Sequence, residues 1–115
     1  MTNQSQLEII EKALNARKQE GQKQIGWKLG FGSPAALKSL NTSKPLIGGL
    51  FDVGELISGT TTDVREMSKP SLEAEIAAYI GSDIPKNASE NQIMDSIESL
   101  VPAIELVDFH TPPID

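Results

Sequence analysis

Three carboxylates in this chain stand where a sequence built only to pack would place apolar side chains. Glu73 and Glu75 lie two apart in the run Ser71-Leu72-Glu73-Ala74-Glu75-Ile76-Ala77-Ala78-Tyr79-Ile80, and Glu105 interrupts Ala103-Ile104 and Leu106-Val107. A buried carboxylate is costly unless it is protonated, paired with a cation or bound to a metal. An all-oxygen donor set suits hard cations such as Mg²⁺, Mn²⁺ or Ca²⁺. Taken alone, Glu-x-Glu with a distant third Glu is also the pattern of a solvated sheet face. Lys28, inside the Gly-bracketed run Ile25-Gly26-Trp27-Lys28-Leu29-Gly30-Phe31, has two readings as well. Its stem can snorkel so that the ammonium reaches water. Alternatively the ammonium faces an anionic substrate or moves protons. His110 is the sole histidine, and its place near a chain end reads as surface rather than catalytic.

Other chemistries are excluded by what is missing. No cysteine is present, which removes disulfides, Cys-ligated zinc and thiol nucleophiles. No phosphate-binding loop, dinucleotide fingerprint, zinc motif or Ser–His–Asp pattern occurs. Ten basic against sixteen acidic side chains give a formal charge of −6, a balance that repels phosphate backbones, so no nucleic-acid partner is expected. No run approaches the roughly 18 apolar residues of a membrane helix. The opening MTNQSQLEIIEK lacks the basic and apolar regions of a secretion signal, which makes the cytoplasm the expected location.

The elements that must position these residues follow from periodicity. Residues 5–20 read as an amphipathic helix with Leu7, Ile10 and Leu14 on one stripe, Ser5 and Glu8 as a capping box, and Gly21 as its stop. Residues 25–31 read as a buried strand or extended segment, with Gly26, Gly30 and Gly32 marking a close approach to the backbone. Ser33-Pro34 starts a short helix through Leu40. The Gly-rich run Leu46–Phe51 reads as irregular, and residues 55–64 around Ser58-Gly59 as a small hairpin.

Residues 71–80 alternate strictly. Ser71, Glu73, Glu75, Ala77 and Tyr79 share one face of a strand, and Leu72, Ala74, Ile76, Ala78 and Ile80 the other. A helix would instead set Glu73 and Glu75 about 200° apart. Residues 83–88 read as a loop, and Ser89 with Gln92 as a capping box opening a helix with Ile93, Ile97 and Leu100 on its stripe. Residues 101–108 form a second strand, with Ala103, Glu105 and Val107 facing one way and Ile104, Leu106 and Asp108 the other. The fold class is therefore α+β, with an N-terminal helix and short helices around a mixed, mainly antiparallel sheet. A compact domain of this length would bury roughly two-thirds of its unfolded surface.

Five segments in order resemble the 2-keto-4-pentenoate hydratase and 4-oxalocrotonate decarboxylase family, within the fumarylacetoacetate hydrolase superfamily. They are Gly26-Trp27-Lys28-Leu29-Gly30 with Ser33-Pro34, Gly48-Gly49-Leu50-Phe51-Asp52, Pro70-Ser71-Leu72-Glu73-Ala74-Glu75-Ile76-Ala77, Asp83-Ile84-Pro85, and Val101-Pro102-Ala103-Ile104-Glu105-Leu106-Val107-Asp108. The resemblance covers about residues 25–108. It implies a metal centre of Glu73, Glu75 and Glu105 holding Mg²⁺ or Mn²⁺, and an active-site lysine at Lys28. It implies a partial fumarylacetoacetate hydrolase-like β-roll, formed as one incomplete domain over residues 1–115 with a helical segment at 1–24.

The implied activity is a lyase reaction: hydration of a 2-oxo (2-hydroxydienoic) acid in the breakdown of aromatic compounds. The alternatives are a decarboxylase-type segment or a truncated, non-catalytic interaction subunit. Family members are considerably longer, so the expected partners beyond the small 2-oxo acid are further copies or a complementary chain.

Overall fold

The computed structural model describes residues 3–109, with side chains from Gln6 onward. Its elements are α1 (Asn3–Gln19), β1 (Gln24–Gly30), α2 (Pro34–Ser39), β2 (Leu46–Phe51), a short 3₁₀ turn (Asp52–Gly54), β3 (Pro70–Ile80), α3 (Glu90–Ser96) and β4 (Ile97–Asp108). The chain divides into two compact units, Met1–Thr61 and Thr62–Asp115. The class is α+β, and both ladders among the described residues are antiparallel: β1 with β2, and β3 with β4. His110 lies outside the described residues.

In the first unit, α1 begins at Asn3, two residues ahead of the Ser5 cap expected from sequence. It stops at Gly21, which takes φ +86. The Gly21 N–H donates to the Lys18 carbonyl at 3.0 Å and the Gln22 N–H to the Arg17 carbonyl at 3.2 Å. That crossed pair is the Schellman arrangement, which satisfies carbonyls the helix leaves orphaned. Leu14 is the buried residue of α1, and it and buried Phe51 of β2 both crowd Gly49. The Arg17 guanidinium sits 4.1 Å from the Phe51 ring centroid, a cation–π contact that closes this small core. The Asp52 carboxylate accepts from the Lys23 N–H at 2.9 Å, and the Asp52 N–H donates back to the Lys23 carbonyl, tying the end of β2 to the entry of β1.

Three readings from sequence are corrected here. The run 46–51 is a strand rather than irregular, because β1 needs a partner for its backbone groups and finds it in register from Gly26–Leu50 to Gly30–Leu46. The close approach falls at Gly49 rather than at Gly26, Gly30 or Gly32. A Cβ on Gly49 would overlap Leu14 and come within 3.0 Å of the Phe51 ring, whereas one on Gly30 meets nothing within 4 Å. Residues 55–64 hold a turn and no strand pair. Thr60 closes onto the Ile57 carbonyl through both its N–H and its hydroxyl, and Gly59 takes φ +85. With three residues ahead of it the turn has too short a flank to build a ladder, and its polar groups are met locally.

In the second unit, β3 and β4 pair from Pro70–Asp108 to Ile80–Ile97, with an irregularity between Tyr79 and Ile80. The Asp108 carboxylate fastens the open end of the ladder by accepting from the Ser68 N–H at 3.1 Å and the Lys69 N–H at 2.8 Å. At the other end the Gly81 N–H donates to the carbonyl of Ser96, a buried residue. The capping box of Ser89 and Gln92 forms as expected. The helix it opens is shorter than expected, and Ile97 and Leu100 belong to β4. The Ser96 hydroxyl turns back to the Gln92 carbonyl, and from Ile97 onward the chain is extended and pairs with β3.

Across the described residues the buried apolar side chains are Leu14 and Phe51, a far smaller core than a compact domain of this length would build.

Candidate metal centre

The register of β3 against β4 decides where the chemistry gathers. Glu73 lies opposite Glu105, and Glu75 lies opposite Ala103. Because side chains alternate along a strand, Glu73, Glu75, Ala103 and Glu105 all emerge from one face. Directly opposed residues of an antiparallel pair hold their Cβ atoms about 5 Å apart, and like charges in that relation are destabilising. The sequence therefore maintains an arrangement that costs stability unless a cation offsets it.

The outcome is a convergent cluster. Each of Glu73, Glu75 and Glu105 offers one carboxylate oxygen, and the three oxygens lie within 4.8 Å of one another. Glu73 and Glu75 are exposed and Glu105 is half-buried. Ligand oxygens around one hard divalent ion, at metal–oxygen distances of roughly 2.0–2.6 Å, stand about 3–5 Å apart. The donor set, all carboxylate and drawn from two paired strands, fits an ion of the Mg²⁺, Mn²⁺ or Ca²⁺ class. Among the described residues this is the one group of three or more potential ligands that converges so closely.

Lys28 belongs to the first unit. It lies opposite Gly48 in the β1–β2 ladder and is exposed. Its stem runs over that glycine: a Cβ on Gly48 would stand 3.4 Å from both the Cγ and the Cε of Lys28. A Cβ at that distance would be in ordinary contact with the lysine stem. Phe31, one residue past the end of β1, takes φ 57, a left-handed conformation that a bulky side chain rarely adopts.

Sequence reasoning passed over two residues that the structure brings forward. Asp108 is the acceptor that holds the open end of the ladder, and Ala103 is the partner of Glu75. Both stand in the segment Val101–Asp108, where Ala103 is chemically inert and the Asp108 carboxylate sits at a strand end that reads as solvated. Only the cross-strand register reveals what they face.

Comparison with known proteins gives the same direction. A 2-keto-4-pentenoate hydratase of Burkholderia vietnamiensis (strain G4) is 34% identical over 95 residues, which is 80% of this chain and 36% of that protein. A 4-oxalocrotonate decarboxylase of a Pseudomonas species is 27% identical over 101 residues, 88% of this chain and 40% of its own length. The chain is related to the 2-keto-4-pentenoate hydratase and 4-oxalocrotonate decarboxylase family. No family model matches it.

The fold is shared as well. The 4-oxalocrotonate decarboxylase of Pseudomonas putida G7, solved with magnesium and adipate, superposes with a TM-score of 0.79 at 22% identity, over 94% of this chain and 41% of that one. The same enzyme solved with calcium and acetate gives a TM-score of 0.76. The chain spans between 33% and 40% of the length of the hydratase and decarboxylase relatives it matches.

Proposed function

We propose that this chain carries the metal-binding part of a divalent-metal-dependent lyase that hydrates a small 2-oxo acid, in the manner of a 2-keto-4-pentenoate hydratase. The observation that carries the reading is the convergence of the Glu73, Glu75 and Glu105 oxygens within 4.8 Å on one face of a two-stranded ladder. The hydratase relatives and the magnesium-bound decarboxylase neighbour support it. In this reading the β3–β4 ladder is one wall of a fumarylacetoacetate hydrolase-like β-roll. The macromolecular partners in this reading are further copies or a complementary chain, and the protein works in the cytoplasm.

Glu73 and Glu75 supply two anionic donors from β3, and Glu105 supplies the third from β4. Their backbones are fixed by the ladder, so the donors are held in place before substrate arrives. When bound, Mg²⁺ or Mn²⁺ supplies Lewis-acid stabilisation to the enolate of a 2-oxo acid. Lys28 brings the cationic group that steers the substrate carboxylate or moves a proton. The net change on 2-hydroxypenta-2,4-dienoate is tautomerisation to the conjugated 2-oxo acid and addition of one water at C4, giving 4-hydroxy-2-oxopentanoate.

Decarboxylation is the second reading, favoured by the fold match to a decarboxylase over 94% of the chain. Both reactions pass through an enolate, and the carboxylate cluster serves either one. Loss of CO₂ from 4-oxalocrotonate, measured beside hydration of 2-hydroxypenta-2,4-dienoate, separates them. The test of the shared centre is Mn²⁺ titration by calorimetry on the purified chain, with Glu75→Gln alongside. Binding by the wild type that the substitution abolishes is the expected result. A folded wild type that takes up no Mn²⁺ rejects the metal centre in this chain.

A further inference from the structure

The register sets a four-cornered cell on the carboxylate face of the β3–β4 ladder. Its corners are Glu73 and Glu105 as one directly opposed pair and Glu75 and Ala103 as the next pair on the same face. Three corners carry carboxylates whose oxygens reach to within 4.8 Å of one another, and the fourth carries a single methyl group. Resting on the metal-centre reading above, we propose that Ala103 is a specificity-determining position. Its small side chain leaves one corner of the cell clear for the two adjacent oxygens of a 2-oxo acid.

The physical case is one of volume and donor count. A hard cation takes six or more oxygen donors, and three carboxylates bound through one oxygen each leave half of that demand unmet. The neighbouring same-face pairs supply little of it: Ser71 opposite Val107 on one side, Ala77 opposite Val101 on the other. The missing donors come from water or from a small molecule, and they need room beside the carboxylates. Cβ atoms of opposed residues stand about 5 Å apart, so side-chain bulk at position 103 would rise directly across from Glu75. Ala103 carries the shortest side chain of the four corners, which makes its own corner the one with the least side chain in the way.

Ala103→Val tests this with little risk to the fold, since a β-branched residue suits a strand. Ala103→Thr repeats the same bulk with a different polarity. The probe is oxalate, whose two adjacent carboxylate oxygens imitate the chelating edge of a 2-oxo acid enolate. Calorimetry first measures Mn²⁺ binding to each chain, then oxalate binding to the Mn²⁺-loaded chain, with circular dichroism as the check on folding.

The expected result is Mn²⁺ affinity within about threefold of wild type in both variants, and oxalate affinity weakened at least tenfold. Ala103→Gly should keep both. Oxalate bound by the folded Val and Thr variants as tightly as by wild type overturns the assignment. So does loss of Mn²⁺ itself from those variants, which would make Ala103 a support of the carboxylates rather than a gate beside them. A wild-type chain that binds Mn²⁺ but no oxalate overturns it too. Failure of the wild type to bind Mn²⁺ is a different result, because it rejects the metal centre on which the inference rests.

Discussion

The two faces of the β3–β4 ladder are built from the same two strands and face opposite physical demands. One holds Glu73, Glu75 and Glu105 in a cluster tight enough for one cation. The other carries Leu72, Ile76, Leu100 and Ile104 with 63–76% of their surface in contact with water. A carboxylate keeps its hydration when it stands in water, so the first face bears only the mutual repulsion of its charges until a cation offsets it. An exposed apolar row forfeits the burial that stabilises folded chains, at roughly 25 cal/mol for every Å² left wet. On the proposed reading a cation accounts for the first face, whereas the second has no such account in its own residues. Strand alternation places both.

Breaking the first face should have the largest effect. Glu75→Gln removes an anionic donor while keeping size and hydrogen-bonding capacity, and it should lower Mn²⁺ affinity by at least a hundredfold in calorimetry. The apolar row is indifferent to that change. Ala103→Val comes next, with its tenfold loss confined to oxalate binding.

The second face has its own test. Ile76→Lys with Ile104→Lys replaces two exposed residues, at 76% and 70% exposure, by charged ones. Stability against urea should change by less than about 0.5 kcal/mol, because surface substitutions away from buried contacts seldom cost more. Fluorescence of a hydrophobic dye should fall severalfold and Mn²⁺ binding should stay as in wild type. A large loss of stability would mean the row is covered in solution, and the contrast between the faces would fail.

How much of this was legible beforehand follows from the range of the interactions involved. The strand over residues 70–80, the capping box at Ser89 and the stop at Gly21 depend on neighbours a few residues away, and the sequence pattern carries them. The facing of Glu73, Glu75 and Glu105 was readable because alternation assigns a face to each residue. What alternation leaves open is the register between strands. The pairing of Glu73 with Glu105 and of Glu75 with Ala103 is a long-range fact, as is the Asp108 clamp on Ser68 and Lys69. The strand at 46–51 escapes a sequence reading for the same reason, since glycines weaken the local signal and its distant partner β1 supplies the order. Burial was the least legible property. The apolar rows predicted for a core are present, yet Leu14 and Phe51 are the buried apolar side chains among the described residues.

The Asp108 clamp gives a smaller, structural test of the ladder that carries both faces. Asp108→Ala removes the acceptor of two backbone N–H groups at an exposed position, which should cost about 1 kcal/mol in urea unfolding. Amide exchange at Ser68 and Lys69 should quicken. Exchange near the middle of the ladder, at Ala74 and Ile104, should be nearly unchanged, which separates fraying of one end from collapse of the metal face.

The smallest effect concerns a carboxylate whose cation lies beside it in sequence. Asp63 accepts from the Arg65 guanidinium, with Nη2 2.6 Å from its Oδ2, and from the Arg65 backbone N–H at 2.9 Å. These bonds, the side-chain one first, hold the Asp63 carboxyl below its ordinary range. A carboxyl depressed in the folded chain adds stability above its unfolded pKa and loses it as pH falls through the lower folded value. Both groups are fully exposed, so the stabilisation is small and screened by salt. Arg65→Gln should move the Asp63 carboxyl signal in an NMR titration back toward the ordinary range and leave urea stability at neutral pH unaltered. Saturating Mg²⁺ at neutral pH should shift the carboxyl signals of Glu73, Glu75 and Glu105 and pass over Asp63, whose charge is already met by Arg65. A shift at Asp63 equal to theirs would show that the cation is collected by negative charge in general and that the three-cornered face has no special hold on it.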